Sequence, residues 1–343
     1  MTRPKTILVT GSNSGLGLET ARQLAERPEW QRIVLGARSE DKARGARDTL
    51  VAATGRSKED FEYLIVDLNQ PASVDAALDD ADARDLHLDA VVMNAGGVVA
   101  ANAEGIPKAE SGLSQLFAMN VGGHARLVEG LLAANRVRRG ATLVFAASEV
   151  SRGIRIGGKK APVLPKSYPS LDEAIGAVAR GEHVSTNIDD TYEYGLVKLL
   201  GIAWMSELAQ RPGEKVRALS ISPGATTGTA GAKGLPLLLA FFMTWIAMPL
   251  MRLFGQAHTV ESGAARYIRG LEDPSLVNGG FYASADGGTS GRLVLQSSAD
   301  QPLLSDDEFV AAVARLVQGI AREPQANTSA ALAGAQAQAR ASA

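Results

Sequence analysis

Tyr194 and Lys198, in the stretch TYEYGLVK (191–198), stand four residues apart and so share one face of any helix built there. An isolated tyrosine is a poor acid at neutral pH, with a pKa of about 10. An ammonium one helical turn away stabilises the phenolate, so the phenol can share its proton with a reacting oxygen. Tyr192 has Leu196 at that spacing and reads as a neighbour rather than as the acid–base group. A Tyr-x-x-x-Lys pair occurs by chance, and its meaning depends on its company. Ser148 closes the run ATLVFAAS, Asn94, Ala95 and Gly96 close LDAVVMNAG, and Asn120 lies in the long helical pattern after that.

A second constellation lies near the N-terminus. TGSNSGLG (10–17) follows the apolar run TILVT and opens a helical pattern. Gly11, Gly15 and Gly17, with Ser12, Asn13, Ser14 and Leu16 among them, allow a tight turn and a close backbone approach to a pyrophosphate, which N–H groups at a helix start bind. The next apolar run ends GARSED. A carboxylate there would bond a ribose 2′-hydroxyl, whereas a basic residue suits a 2′-phosphate, so Arg38 favours NADP over NAD. The alternative is a solvated Arg38 with Glu40 or Asp41 reaching the ribose. Asp67, followed by Leu68 at the end of the third run, is placed for the adenine amino group or for capping the next helix.

These residues need elements that bring them together. Apolar runs at 6–10, 32–38, 61–68, 88–96, 141–148, 216–224 and 279–284 alternate with helical patterns, among them 40–53, 71–81 and 112–135. Parallel strands need crossovers and are buried on both faces, so this pattern predicts an α/β, doubly wound, about seven-stranded parallel sheet of the Rossmann type with helices on both sides. In such sheets ligands bind at the carboxyl ends of the strands, where the candidate residues fall. Residues 1–322 read as one domain, and the alanine-rich 323–343 as a disordered tail.

Composition removes several classes. A formal charge of -2 and pI near 6.2 give no electrostatic footprint for nucleic acid. With no cysteine there is no disulfide, thiolate metal site or cysteine nucleophile, and the four scattered histidines form no HExxH, so no metal is expected. The first apolar run is too short for a signal peptide, and a cytoplasmic chain is expected.

Taken together, TGSNSGLG, the NAG at 94–96, Asn120 in FAMNVGGH, Ser148 in LVFAAS, YGLVK (194–198) and SPG (222–224) resemble the short-chain dehydrogenase/reductase family over about residues 5 to 290. The resemblance implies a homo-oligomer, NADPH/NADP+ as cofactor and an Asn-Ser-Tyr-Lys catalytic set. By position, Tyr194 would be the general acid/base, Lys198 would lower its pKa and hold the nicotinamide ribose, Ser148 would bond the substrate oxygen, and Asn120 would support a water in a proton relay. Cofactor contacts are implied at Gly11 to Gly17, Arg38, Asp67, Leu68, Asn94, Ala95, Gly96, Tyr194, Lys198, Pro223, Gly224, Thr226 and Thr227.

Two departures bear on substrate. Ser148 and Tyr194 are 46 positions apart, more than in most family members, and the inserted segment 152–190 joins two catalytic elements beside the active-site mouth. After Pro223-Gly224 comes an apolar stretch, GLPLLLAFFMTWIAMPLM (234–251), of 18 uncharged residues, interrupted by Pro236 and Pro249. It reads as part of a substrate lid over 229–258, with Phe241, Phe242, Trp245 and Met248 as pocket lining. Core or dimer contact, a peripheral membrane contact through 235–254, and a true span are the alternatives. The insertion, ATTG (225–228) and VESGAARYIRGLEDPSLVNGGFY (260–282) are similar to the light-dependent protochlorophyllide reductases and, in part, to retinol dehydrogenases. Those photoenzymes carry a cysteine near the pigment and a YKDSK that this chain lacks. The expectation is therefore an NADP(H)-dependent oxidoreductase for a bulky lipophilic carbonyl or alcohol, with a light-dependent C=C reductase as the alternative. A non-catalytic nucleotide-binding partner protein is a third reading, against which the intact tetrad argues.

Overall fold

The computed structural model describes residues 3–102, 105–155, 158–159, 162–182, 190–213, 215–226, 257–297 and 301–322. Thr227, the expected lid apart from Ala257 and His258, part of the 152–190 insertion and the tail from 323 on lie outside them.

The chain alternates strand and helix as its apolar runs predict: β1 (Lys5–Thr10), α1 (Gly15–Ala25), β2 (Trp30–Ala37), α2 (Glu40–Thr54), β3 (Phe61–Ile65), α3 (Pro71–Ala83) and β4 (Leu88–Met93). The helical pattern at 112–135 breaks into α4 (Gln115–Phe117), a π turn (Ala118–Gly122) and α5 (Gly123–Ala133). After β5 (Val137–Ala146) come a 3-10 turn (Glu149–Arg152), the hairpin β6 (Ile154–Arg155) and β7 (Gly158–Lys159), then α6 (Leu171–Arg180), α7 (Asp190–Gln210) and β8 (Arg217–Ile221). The chain continues through α8 (Val260–Glu272), β9 (Phe281–Ser284), β10 (Leu293–Leu295) and α9 (Asp307–Arg322).

The main sheet has strand order β10-β9-β8-β5-β4-β1-β2-β3. The seven strands read from the sequence are parallel, and an eighth, β10, adds antiparallel to β9 at the edge. Its three residues, LVL, are too short to stand out as a strand in the sequence. The chain runs one way from β1 to β3 and the other way from β4 to β9, so the order reverses between β1 and β4. That switch opens a crevice at the carboxyl ends of the strands.

Side chains alternate across the sheet with period two. Ile7, Val9 and Leu35 pack with α1, α2 and α8 on one face, while Leu8, Val34 and Val91 pack with α3, α5, α7 and α9 on the other. Both layers are buried, as a parallel sheet requires. A buried, bidentate ion pair between Arg126 and Asp75, at 2.7 and 2.9 Å, joins α5 to α3, and Arg126 also donates to the Ile320 carbonyl at 2.9 Å. It thereby fastens the C-terminal helix to the same layer.

Candidate active site

Four elements converge behind the carboxyl end of β5. Helix α7 carries Tyr194 and Lys198 and lies close against the turn that follows Ser148, because Gly195 has no side chain to hold it off. A Cβ there would fall 2.7 Å from the Val150 carbonyl oxygen. The Ser148 side chain accordingly lies close enough to act on the Tyr194 phenol. Burial pushes the Tyr194 phenol above its ordinary pKa, and Ser148 works in the opposite direction.

Lys198 is 2% exposed. Its ammonium donates to the Ala146 carbonyl at 2.7 Å, at the end of β5, and sits 4.9 Å from the Phe145 ring and 5.4 Å from the Tyr194 ring. Burial lowers its pKa to about 7, since a low-dielectric site disfavours the charged form. The expected downward pull of Lys198 on Tyr194 is thus opposed by desolvation of both groups.

Asn120 sits in the π turn and is fully buried. Its Oδ1 accepts from the Gly97 N–H at 3.0 Å, and its Nδ2 donates to the Gly97 and Leu116 carbonyls, each at 2.8 Å. A Cβ on Gly96 would lie 2.3 Å from Asn120 Oδ1 and 3.5 Å from Lys198 Nζ, so only glycine lets the end of β4 pass between these two groups. The structure therefore brings Asn120, Ser148, Tyr194 and Lys198 together.

At the other side of the crevice, Asn94 Nδ2 donates to the Thr10 and Gly11 carbonyls at 3.0 and 3.4 Å, tying the end of β4 to the glycine loop. Ser14 is the exposed N-cap of α1 but makes no side-chain capping bond, and the first turn of α1 carries no acidic residue. N–H groups at that helix start therefore face the crevice without a built-in anion, a fit for a pyrophosphate. Arg38 is exposed just after β2 and pairs with no described residue, a fit for a 2′-phosphate, whereas Asp41 is engaged with Arg44.

Other residues with implied contacts are engaged within the protein. Ser12 is fully buried, and its N–H and hydroxyl both bond the Gly36 carbonyl, at 3.2 and 3.3 Å, which fixes the loop to β2. The Leu68 side chain belongs to the core. Asp67 does not cap α3, whose N-cap is Gln70; its carboxylate accepts from the Asn69 N–H at 3.1 Å. In the Pro223-Gly224 turn, the Gly224 N–H donates to Ser222 Oγ at 3.1 Å, and Thr226 Oγ1 donates to the Gly224 carbonyl at 3.1 Å.

Two groups were missed in the sequence. His124, fully buried, lies 2.8 Å from Thr10 Oγ1 through Nε2 and 3.3 Å from the Asn120 carbonyl through Nδ1. Burial lowers its pKa to about 3, so the ring is neutral, Nδ1–H donates to Asn120 and Nε2 accepts from Thr10. Thr10 Oγ1 in turn accepts from the Ala95 N–H at 3.0 Å. The second group is a buried cluster of Glu149, Arg152 and Arg266 behind Ser148. The Asn-x-x-x-His spacing and the SEVSR run after β5 were the available signals.

A family model described as short chain dehydrogenase matches residues 5–158. A short chain dehydrogenase/reductase of Colletotrichum higginsianum is 29% identical over 251 residues, 71% of this chain and 59% of that protein. Protochlorophyllide reductase B of Oryza sativa is 29% identical over 300 residues, 82% of this chain and 69% of that protein. The chain spans 34% and 59% of the lengths of the first two curated relatives it matches. The crystal structure of L-sorbose reductase from Gluconobacter frateurii, complexed with NADPH and L-sorbose, superposes with a TM-score of 0.57 at 21% identity, covering 83% of this chain and 96% of that one, a likeness of fold. Residues 5–158 thus match the short-chain dehydrogenase family, and the sheet order, glycine loop and Asn-Ser-Tyr-Lys convergence are in keeping with that similarity.

Proposed function

We propose that the protein is an NADP(H)-dependent oxidoreductase acting on a bulky lipophilic carbonyl or alcohol. The observation that carries the reading is the convergence of Ser148 and Tyr194 with a buried Lys198, whose ammonium lies 5.4 Å from the Tyr194 ring, at the carboxyl end of the sheet. NADPH, when bound, supplies the hydride. The N–H groups at the start of α1 and the Arg38 guanidinium would hold its phosphates. The Ser148 hydroxyl orients the substrate oxygen, and the Tyr194 phenol transfers the proton at that oxygen. The Lys198 ammonium, held by the Ala146 carbonyl, stabilises negative charge on the phenol as the proton leaves. Asn120 keeps the π turn and the Gly96-Gly97 segment in register behind it.

Exposed aliphatic groups near these elements favour a lipophilic substrate. Val98 follows the end of β4 and is 55% exposed, and Val163 in the inserted segment is 57% exposed. Among the described residues no helix is long and apolar enough to cross a membrane. The segment 235–254, proposed as lid or peripheral membrane contact, lies outside them.

One observation favours a second reading, light-driven reduction of a tetrapyrrole C=C bond: the similarity to the rice protochlorophyllide reductase runs through 82% of this chain. Following NADPH consumption with lipophilic aldehydes, ketones and protochlorophyllide, in darkness and under light, separates the two. Dark turnover of a carbonyl is the expected result. Turnover of pigment only under light would replace the first reading with the second, and no turnover of any of them would sink both.

A further inference from the structure

Tyr192 holds both backbone polar groups of Val163. Its phenol oxygen accepts from the Val163 N–H at 2.9 Å and donates to the Val163 carbonyl at 3.1 Å. One side-chain hydroxyl thus engages the inserted segment as a neighbouring strand would. Residues two apart on a helix point about 200° from one another. Tyr192 accordingly turns toward the inserted segment while Tyr194 turns toward Ser148, from the same first turns of α7.

The far end of this stretch is fixed by other means. Ile175, Val178 and Ala179 of α6 are in the core, Ser114 Oγ donates to the Ala179 carbonyl at 3.0 Å, and Asp172 pairs with Arg315 of α9 at 2.6 Å. Helix α6 therefore stays docked without Tyr192. Val163 is different: 57% exposed, it presents its side chain to solvent while its backbone is held by the phenol. The latch ties an apolar, exposed residue to the helical turn that carries the acid–base tyrosine. Bonds at an exposed residue compete with water and add little to global stability, so their effect falls on the local placement of the segment.

We infer that Tyr192 is a positioning residue for bulky substrates: through Val163 it sets how closely the inserted segment approaches the mouth of the Ser148–Tyr194 site. The substrate class in this inference rests on the proposed function. The latch itself does not.

Tyr192→Phe keeps the ring and removes the hydroxyl. In the full-length protein, steady-state kinetics with NADPH are compared for a small ketone, 2-butanone, and a bicyclic one, 2-decalone, together with hydrogen exchange of the 162–170 amides. The expected result is a KM for 2-decalone raised about tenfold, with kcat for both ketones and KM for 2-butanone changed less than about twofold, and exchange at Val163 accelerated about tenfold, the scale set by losing one to two hydrogen bonds. Equal KM changes for the two ketones, or none, overturn the inference, as does a fall in kcat with 2-butanone, which would place Tyr192 in the chemistry. If the unsubstituted protein consumes neither ketone, the proposed function fails for them, and the exchange measurement still decides the latch: faster exchange at Val163 supports it, and unchanged exchange overturns it.

Discussion

Glu149 Oε1 and Ser222 Oγ lie 3.0 Å apart, so the residue after Ser148 is bonded to the residue before the Pro223-Gly224 turn. The same carboxylate oxygen accepts from the Ser284 N–H at 3.0 Å and its hydroxyl at 2.8 Å. Arg152 donates to Glu149 Oε2 at 2.8 Å and to the Ser284 and Gly288 carbonyls, while Arg266 donates to the Ser222 and Gly291 carbonyls. One carboxylate therefore registers the ends of β5, β8 and β9, with two guanidinium groups around it.

Glu149→Gln leaves both buried guanidinium groups without their anion. Removing one partner of a buried pair typically costs about 3–5 kcal/mol. Urea unfolding should show a loss on that scale. A change below about 1 kcal/mol would mean that the carbonyl acceptors alone satisfy Arg152 and Arg266.

Tyr194→Phe removes the proton that the proposed reaction transfers and leaves the cofactor cradle in place. The expected outcome is a fall in kcat of about 10²- to 10⁴-fold, the usual contribution of a positioned acid. NADPH affinity, read by fluorescence titration, should stay within about threefold. Retained turnover would remove Tyr194 from the mechanism.

Arg38→Ala tests the cofactor preference. A hydrogen bond to a charged group contributes about 1.5–3 kcal/mol, or roughly 10- to 100-fold in Kd. NADPH should weaken by that factor and NADH by less than about twofold. Parallel weakening of both would show that Arg38 does not reach the 2′-phosphate.

His124 makes acid lability a local property. Its folded pKa, lowered to about 3 by burial, lies below the ordinary value of 6.5, so between those values the unfolded chain binds more protons. Stability is complete above about pH 6.5 and is lost as pH falls toward 3. Thermal unfolding from pH 7 to 4 should show a steeper fall in Tm for the unsubstituted protein than for His124→Gln. Equal slopes would contradict a buried neutral ring.

Lys198 carries a linkage of the same sign at higher pH. Its folded pKa of about 7 lies below the ordinary 10.5, so the charged form is penalised in the fold, and stability rises as pH climbs from 7 toward 10.5. Lys198→Met should flatten that rise in urea midpoints measured across the window. An unchanged slope would mean that Lys198 keeps its proton in the fold.

The sequence by itself determined the seven parallel strands, because continuous apolar runs between helical patterns can be buried only in a covered parallel sheet. It also determined which of two tyrosines pairs with Lys198, because helical spacing is local, and it marked Ser148 and Asn120 by their position at strand ends and in the following helix. The tertiary structure decided what depends on distant partners. Thr10 and His124 are separated by 114 positions and meet only because the end of β1 and the first turn of α5 adjoin the same switch point. Glu149 and Ser284 are 135 positions apart, so SEVSR looks like an ordinary polar turn until the ends of β5, β8 and β9 are side by side. The partners of Ser12 and Leu68 are likewise invisible in one dimension: the Ser12 hydroxyl bonds the Gly36 carbonyl of β2, and the Leu68 side chain packs in the core. Tyr192, a mere neighbour in the helix pattern, gains its part from Val163, 29 positions earlier. Local periodicity fixes the elements and their faces, while hydrogen bonds between residues far apart in the chain exist only once loop closure has brought them together.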